Sequence, residues 1–445
     1  MAVSLPDDLL PEILVRVKDG AALFRCAMTC KQWRRLVADP CFLRRCWSED
    51  AIDSSCSFVG FFTKGNRHGE RDSGPFRGPE PYFVPASPSP LGLRPRALSS
   101  FVTPLRAGLF DRAKPLVSRH GLVLVRLEVE AQDMPGYPDK SIFQLAVCNL
   151  LVGTCDLLPP LQVNPVFYDH NSNGYSILTS IDCCSKDEPS PPVLPNYSSF
   201  FKVVIVSYSC SDLNYRLSEF SSNKESWSMP TNYFNNNAQL EHYGSFSDAI
   251  VCRGMLHWIF HDCGEQWLHI INLNVRTGHI YLTKLPFTVN FRPTSHPCLT
   301  LGVNGMLSLL WMQKDGSQLE IGEWREVHDN MSGNSECLGT RTIELRQPRK
   351  ENEGIELCVL REKCGTLLMK NDLNCVYTSD LDTGMMEELV GWPSTRSMCH
   401  WDSMPVEIDW LTIFVSRLAR DSTDPLSSPS VETSSTRKSK AHDGI

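Results

Sequence analysis

The sequence predicts a small all-α module of three helices at the amino terminus, followed by an all-β domain that we interpret as a β-propeller of six or seven blades. The first forty residues carry apolar side chains at helical spacing. From about residue 98 to 416, short apolar runs alternate with turn residues, which is typical of all-β domains. A hydrophobic strand that starts at a glycine recurs along this region, which indicates repeated blades. An irregular pair of β-sandwiches is the alternative architecture.

The three helices are predicted from apolar stripes and their interruptions. The first stripe comprises Leu9, Leu10, Ile13, Leu14 and Val17. A second stripe begins at Leu23, and a third contains Trp33 and is expected to stop at Asp39-Pro40. Three short helices bury too little apolar surface to be stable alone. Part of this surface should therefore dock on the rest of the chain or on another protein.

The order of residue types in this module resembles the F-box, over about the first tenth of the chain. The matching positions are Leu5-Pro6, Leu9-Leu10, Ile13-Leu14, Val17, Leu23, Cys26, Cys30-Lys31, Trp33-Arg34, Leu36, Asp39-Pro40 and Phe42. Thr29 departs mildly, because the family usually has valine there. F-box proteins are receptor subunits of cullin-RING ubiquitin ligases. The resemblance implies that these helices bind the S-phase-kinase-associated adaptor and, through it, a cullin and a RING protein.

The resemblance also implies which residues contact the adaptor. The expected adaptor-binding positions are Leu5, Pro6, Leu9, Leu10, Ile13, Leu14, Leu23 and Trp33. Trp33 is expected to have a mixed role, packing the third helix while lining the interface. The alternative is that the helices form a private cap on the following domain.

Composition constrains the compartment and the partners. The formal net charge is −8, which does not suggest a nucleic-acid or anionic-membrane partner. No apolar run is long enough to span a membrane, and no secretory signal is visible at the start of the sequence. The eighteen cysteines are scattered without a Cys-x-x-Cys motif, so we interpret them as reduced and most of them as core residues. We therefore expect a cytoplasmic or nuclear protein.

Four segments are predicted along the chain. Residues 1–50 form the helical module, 51–97 a connector with a Pro- and Gly-rich loop, 98–420 the propeller-like domain, and 421–445 a disordered tail. A short buried strand is expected at 57–62.

Each repeated unit of the β region has two recognisable turns, one before its glycine-initiated strand and one later in the unit. Glycines 121, 254, 305 and 365 each start a hydrophobic strand, and a later turn carries Gly153-Thr154, Thr277-Gly278 or Thr383-Gly384. The region is similar to the β-propeller-like F-box-associated domains of large plant F-box families. The similarity lies in the strand from Phe201 to Val204, the Gly-Met-Leu-His-Trp strand from Gly254 and the Asp-Leu-x-Thr-Gly turn.

Motifs for enzyme chemistry are not found, so the sequence predicts no catalytic residue, no metal and no cofactor. His257 and His261 are four residues apart in a predicted strand, at about 13 Å, too far for one metal ion. The predicted function is that of a substrate receptor in a ubiquitin ligase. The expected contacts with an unknown substrate protein are Tyr233, Phe234, Trp324 and Trp401, and the alternative is that each of them is a core residue. The alternatives are an F-box scaffold outside a ligase and a propeller that binds small ligands or acts as an enzyme.

Overall fold

A computed structural model gives the fold of the chain. The structure describes residues 9–17, 20–27, 29–46, 56–63, 79–86, 89, 91–92, 94–103, 106–127, 142–162, 173–183, 200–209, 214–228, 231–235, 249–262, 267–288, 297–301, 306–313, 318–329, 332–346, 357–363, 365–371, 375–389, 403–410 and 414. Leu5, Pro6 and Trp401 lie outside these residues, as does the tail from 421.

The amino-terminal module contains one helix more than predicted. Its helices are α1 (Leu9–Leu14), α2 (Gly20–Ala27), α3 (Lys31–Val37) and α4 (Pro40–Cys46). The third helix stops before Asp39 and Pro40 as expected, and these two residues also begin α4. The Asp39 carboxylate accepts hydrogen bonds from the amides of Cys41 and Phe42 at 2.7 and 3.3 Å, which caps the helix. Pro40 takes the first helical position, where its missing N–H costs nothing.

The rest of the described chain forms a six-bladed β-propeller. The first two blades use β1 (Cys56–Thr63), β2 (Tyr82–Pro85), β3 (Arg96–Ala97), β4 (Lys114–Arg119), β5 (Leu122–Leu127), β6 (Ile142–Asn149), β7 (Thr154–Leu157) and β8 (Leu161–Gln162). The third uses β9 (Asn173–Thr179), which a short helix α5 (Ser180–Cys183) follows, β10 (Phe201–Ser209), β11 (Asn214–Ser221), β12 (Ser226–Trp227) and β13 (Thr231–Asn235).

The remaining strands complete the ring. The fourth blade uses β14 (Ile250–Cys252), β15 (Met255–Asp262), β16 (Trp267–Asn274) and β17 (Ile280–Thr288). The fifth uses β18 (Cys298–Leu301), β19 (Leu307–Met312), β20 (Gln318–Asp329) and β21 (Ser332–Glu344). The sixth uses β22 (Leu357–Lys363), β23 (Thr366–Asn371), β24 (Val376–Asp380) and β25 (Met386–Glu388), and β26 (Ser403–Asp409) follows.

Strand β26 closes the ring by joining the first blade. It pairs antiparallel with β1 over its whole length, from Cys56 opposite Asp409 to Thr63 opposite Ser403. The first blade therefore combines strands from both ends of the chain, in the order β26-β1-β2-β3. Because β26 is the innermost strand of this blade, the propeller cannot close until the chain is nearly complete.

Apolar cores lie between successive blades and run around the whole ring. Residues of β5 and β10 pack together between the second and third blades, and those of β10 and β15 between the third and fourth. In the last of these interblade cores, Phe61 and Val84 of the first blade pack against Leu368 and Val376 of the sixth. This last contact identifies a closed ring of six blades.

The repeated glycines mark equivalent turns of different blades. Gly121 and Gly254 sit between the first two strands of their blades, with φ of 83° and 75°, where a side chain would be strained. The later turn is also shared, because an Asx side chain caps it in three blades: Asn149, Asn274 and Asp380 each accept two backbone N–H groups. The weak sequence repeat thus follows the turn chemistry of a blade.

The segment expected to be a connector also contributes to the propeller. Strands β1, β2 and β3 all lie within residues 51–97 and form three of the four strands of the first blade. Two of them are short, and β2 ends on Pro85. Proline is tolerated at such a strand end, so the Pro-rich composition conceals these strands from a sequence pattern.

Candidate functional site

Helix α1 presents two apolar side chains to solvent and buries two others. Leu9 and Ile13 are 49% and 47% exposed, and they are one helical turn apart. Leu10 and Leu14 are 6% and 2% exposed, and Leu14 belongs to the core that the helices share with the first two blades. The residues expected to bind the adaptor therefore divide into an outward pair and an inward pair.

The other predicted adaptor positions are not freely exposed. Leu23 of α2 is completely buried, and Trp33 of α3 is half-buried against the same core. A residue that is fully buried in the free chain supports the helices from within. Only Leu9 and Ile13, among the predicted positions that the structure describes, offer a large exposed apolar surface.

The buried face of α2 packs against the residues that follow β26, the last strand of the propeller. Gly20 lies against the indole ring of Trp410, and the rings of Phe24 and Trp410 are 6.0 Å apart. Trp410 also stacks on Phe414 at 5.9 Å and donates a hydrogen bond from Nε1 to Ser57 Oγ at 2.8 Å. Trp410 follows β26 directly, so the closing strand of the ring also seats the helical module. The sequence pattern gave no signal for this contact, because its partners lie hundreds of residues apart.

Basic residues dominate the helical module. Between Leu9 and Cys46 the sequence has eight basic and three acidic residues, and with Asp7 and Asp8 the net charge of residues 2–47 is +3 in a chain of −8. Of the acidic residues, Asp39 caps α4 and Glu12 pairs with Arg45 at 2.6 Å. Exposed basic side chains are found on and after all four helices: Arg16, Arg25, Lys31, Arg35 and Arg45. The exposed Leu9–Ile13 pair therefore lies in a positively charged module.

A buried ionic cluster joins the ends of three inner strands. The Arg119 guanidinium at the end of β4 contacts Asp182 of α5 at 2.7 Å and Glu407 of β26 at 3.3 Å. His120 Nδ1 lies 3.1 Å from Thr179 Oγ1, which in turn donates to Asp182. These contacts place the ends of β4, β9 and β26 on one face of the propeller, the face on which the helical module docks.

The ionisation of this cluster follows from its contacts. Burial raises the pKa of Asp182, but the positive charge of Arg119 and hydrogen bonds from Arg119 and Thr179 outweigh burial, so the pKa falls to about 2. Burial and the neighbouring Arg119 charge lower the pKa of His120 against the opposing effect of three carboxylates. Asp182 is therefore ionised and His120 neutral at pH 7.

The residues expected to contact a substrate fall in three different environments. Trp324 is only 5% exposed and packs in the core between the fourth and fifth blades, which fits the alternative that it is a core residue. Apolar residues of other strands bury it, among them Ile259 and Leu309. Tyr233 and Phe234 lie in β13, where Tyr233 is opposite Tyr215 at the start of β11. Trp401 lies outside the described residues.

One of the two histidines, His257, has a structural role within the fourth blade. Both lie in β15, and His257 Nδ1 is 2.7 Å from Asn272 Oδ1 on the neighbouring strand. Asn272 then donates to Thr283 at 2.7 Å, which forms a polar ladder across the fourth blade. Within the described residues, no group of three or more His, Cys, Asp or Glu side chains is placed to hold a metal ion. None of the described helices has the length and apolar character needed to cross a membrane.

Comparison with known proteins identifies the helical module. Residues 2–47 match the F-box-like family model, and these residues include all four helices. The search of curated proteins found no match.

The solved structures that resemble the chain are distant in sequence. Apo AztD from Citrobacter koseri is 12% identical, covers 79% of this chain and 98% of its own, and has a TM-score of 0.31. A protein of unknown function from Bacteroides caccae is 10% identical over 79% and 99%, with a TM-score of 0.35. The β-propeller domain of the Trilobed protease from Pyrococcus furiosus is 9% identical over 62% and 81%, with a TM-score of 0.28.

Because these TM-scores are below 0.5, the architecture rests on the strand pairing described above. The chain combines an F-box-like helical module at residues 2–47 with a six-bladed β-propeller.

Proposed function

We propose that this protein is a substrate receptor of a cullin-RING ubiquitin ligase. Its helical module binds the S-phase-kinase-associated adaptor, and its propeller binds a target protein. The observation that carries the proposal is the exposed Leu9–Ile13 pair on the first helix of a module that matches the F-box-like family model. Two large aliphatic side chains on one solvent-facing stripe are typical of a helix that docks on another protein.

The buried and exposed positions of α1 and α2 have separate tasks in this proposal. Leu14 and Leu23 pack in the core that the helices share with the first two blades, which leaves Leu9 and Ile13 in a set orientation. Burial of each exposed side chain in an interface stabilises the complex by about 1 to 2 kcal/mol. Because the two residues are already held in place, little conformational entropy is lost on binding.

The charge of the module defines the partner further. A net charge of +3 over residues 2–47, which contain the apolar pair, fits an adaptor surface that is acidic at its rim and apolar at its centre. The basic side chains would accelerate association, while the apolar pair would slow dissociation.

The target protein is expected on the propeller face opposite the helical module. The inner strands β9 and β26 end beside the module, so they begin on the opposite face, at Asn173 and Ser403. Strand β13 ends there as well, because Asn235 pairs with the first residue of β11. Tyr233 and Phe234 therefore lie near the proposed substrate face, and Trp401 precedes β26 by only two positions.

The chain itself supplies no chemistry in this proposal. The adaptor and the target bind on opposite faces of one closed ring, so the ring holds them at a fixed separation. Ubiquitin transfer by a separate conjugating enzyme is then accelerated because the target is kept close to it.

Co-purification tests the proposal. The tagged full-length chain is expressed with the adaptor, the cullin and the RING protein, beside the double variant Leu9→Ala, Ile13→Ala. We expect wild type to retain all three partners and the variant to lose all three together. Leu301→Ala, Leu338→Ala is the matched control, because these propeller leucines are 37% and 47% exposed.

The control variant should retain the partners as wild type does. If wild type fails to bind the adaptor while its circular dichroism and thermal unfolding show a folded protein, the receptor function is refuted. In that case the helices are a private cap on the propeller.

A further inference from the structure

Two buried thiols face each other on neighbouring strands of the second blade. Cys148 of β6 is directly opposite Cys155 of β7, and their sulfur atoms are 3.9 Å apart. Both cysteines are free thiols. No Cys-x-x-Cys spacing relates the two residues, so no sequence motif marks the pair.

The register places the pair where a disulfide is geometrically accessible. The Leu158 amide donates to the Leu145 carbonyl at 2.9 Å, which marks a hydrogen-bonded position of this hairpin. Cys148 and Cys155 lie three positions further along, so they occupy a non-hydrogen-bonded pair, with α-carbons about 4.5 Å apart. Disulfides span α-carbon separations of about 4.4 to 6.8 Å. The backbone therefore needs little movement for the two sulfur atoms to bond.

The two thiols are chemically unequal. Cys155 lies on the edge strand β7, where both neighbours, Thr154 and Asp156, are exposed, whereas Cys148 is completely buried. The Cys148 thiol donates a hydrogen bond to the Cys155 sulfur, and this lowers the pKa of Cys155 against the opposing effects of burial and Asp156. The same contact and burial raise the pKa of Cys148 well above its usual range. Cys155 is thus the thiol that ionises first and lies nearer to solvent.

We propose that Cys148 and Cys155 form a reversible cross-strand disulfide when the protein encounters hydrogen peroxide. The Cys155 thiolate attacks one peroxide oxygen, the O–O bond breaks, and the departing hydroxide takes up a proton to become water. The Cys155 sulfur is now a sulfenic acid. The Cys148 sulfur attacks it, the S–O bond breaks, and the second hydroxide leaves with the Cys148 proton. Two thiols are oxidised and one peroxide is reduced to two water molecules.

The position of the pair links this site to the rest of the fold. Cys148 and Cys155 belong to the same core as Leu14 and Leu23 of the helical module. The turn between them is fixed to the first blade, because the Gly153 carbonyl accepts a hydrogen bond from Thr103 at 3.1 Å. A disulfide would bond the edge strand β7 covalently to β6 within this shared core for as long as the two cysteines stay oxidised.

Thiol mapping tests the proposal. The reduced full-length chain is titrated with hydrogen peroxide, and remaining thiols are blocked with N-ethylmaleimide in denaturant. The protein is then digested with chymotrypsin, which cleaves after Leu150 and Leu151 and separates the two cysteines. Mass spectrometry should find a Cys148–Cys155 cross-link that dithiothreitol removes.

Variants assign the two roles. Cys155→Ser should abolish oxidation of Cys148, whereas Cys148→Ser should leave Cys155 as a sulfenic acid that dimedone traps. Cys337→Ser is the matched control, since Cys337 is an exposed cysteine of β21, and it should leave the yield of the cross-link unchanged.

Two results would overturn the proposal, and neither depends on a variant that folds. The first is that both thiols of wild type remain open to blocking while Cys337 is oxidised. The second is an equal yield of the cross-link from chain unfolded in urea, because the native register would then contribute nothing.

Discussion

Single residues decide how the helical module sits on the propeller, and Gly20 is the clearest case. A β-carbon at this position would lie 2.3 Å from the indole of Trp410, which has no room to move because it is 2% exposed. Glycine is therefore needed here because the Trp410 indole approaches the backbone closely, although glycine weakens the helix that it begins.

The first prediction is that Gly20→Ala destabilises the protein by about 1 to 3 kcal/mol, because the methyl group collides with Trp410. Helix propensity alone would give the opposite sign. Gly339→Ala serves as the control, since nothing lies within 4 Å of a β-carbon there. Urea unfolding measures both variants. Equal stability of Gly20→Ala and Gly339→Ala would show that the indole does not press on α2.

The second prediction concerns Asp182, whose pKa of about 2 in the folded protein lies below the ordinary value of 3.8 for this carboxyl group. A carboxyl with a lowered folded pKa adds stability above its unfolded pKa, and this stability is lost as pH falls through its folded pKa. At pH 7 the contribution is about 2 kcal/mol, and the side chain is only 3% exposed, so solvent screens it little.

Asp182→Asn should therefore be less stable than wild type at pH 7, and the difference should shrink between about pH 4 and pH 2. Chemical unfolding at a series of pH values measures this difference. Asp382→Asn, at an exposed turn position, should stay within about 0.5 kcal/mol of wild type throughout. A pH-independent difference for Asp182→Asn would contradict the ionic cluster.

At the scale of elements, β26 has two tasks that depend on each other. It is the inner strand of the first blade, and the chain that follows it seats α2 through Trp410 and Phe414. The ionic cluster adds a third connection, because Arg119 of β4 reaches Glu407 of β26. The helical module is thus fixed in place by the same strand that closes the ring.

The third prediction follows from this double task. Deletion of residues 403–445 should abolish the cooperative thermal unfolding of the chain, since β1 loses its inner partner and α2 loses its seat. Deletion of residues 421–445 alone should leave the unfolding midpoint unchanged. Differential scanning calorimetry compares the two truncations. A cooperative transition at the wild-type midpoint after the longer deletion would refute the role of β26.

At the scale of the whole molecule, charge is distributed unevenly between the two parts. The helical module is positive while the chain as a whole carries −8. Such an asymmetry steers an acidic partner towards the module and away from the propeller.

The fourth prediction is that the association rate with the adaptor falls roughly ten-fold as salt is raised from 50 to 500 mM. Lys31→Glu, Arg35→Glu, on one exposed face of α3, should slow association at low salt with little effect on dissociation. Lys224→Glu, Arg341→Glu makes the same charge change on the propeller and should have a much smaller effect. Stopped-flow measurements separate the two rates. Equal effects of both double variants would contradict steering by the module.

Local sequence patterns predict the features that depend on residues close together in the chain. The F-box-like module and the propeller turns have short motifs, such as the glycine and Asx pair around Asn149 and Gly153, which local chemistry dictates. Such patterns do not predict contacts between segments that are far apart in the chain. The closing of the first blade by β26 and the seat of Gly20 on Trp410 pair residues more than 300 positions apart, which no local pattern encodes.

The same limit applies to the candidate site. The predicted adaptor positions could be found from their order along the chain, but their division into exposed Leu9 and buried Leu10 required the docked helix. Trp324 shows the converse, because an aromatic residue in a polar sequence context proved to be part of an interblade core.

The most direct test of the central claim is the equilibrium affinity of the purified full-length chain for the purified adaptor. Leu9→Ala, Ile13→Ala should raise Kd about 100-fold, because two interface side chains are lost, each contributing about 1 to 2 kcal/mol. Its unfolding free energy should change little, since both residues are exposed. Leu301→Ala, Leu338→Ala should leave Kd unchanged. A Kd for the Leu9, Ile13 variant equal to that of wild type would show that the exposed pair is not the adaptor-binding surface.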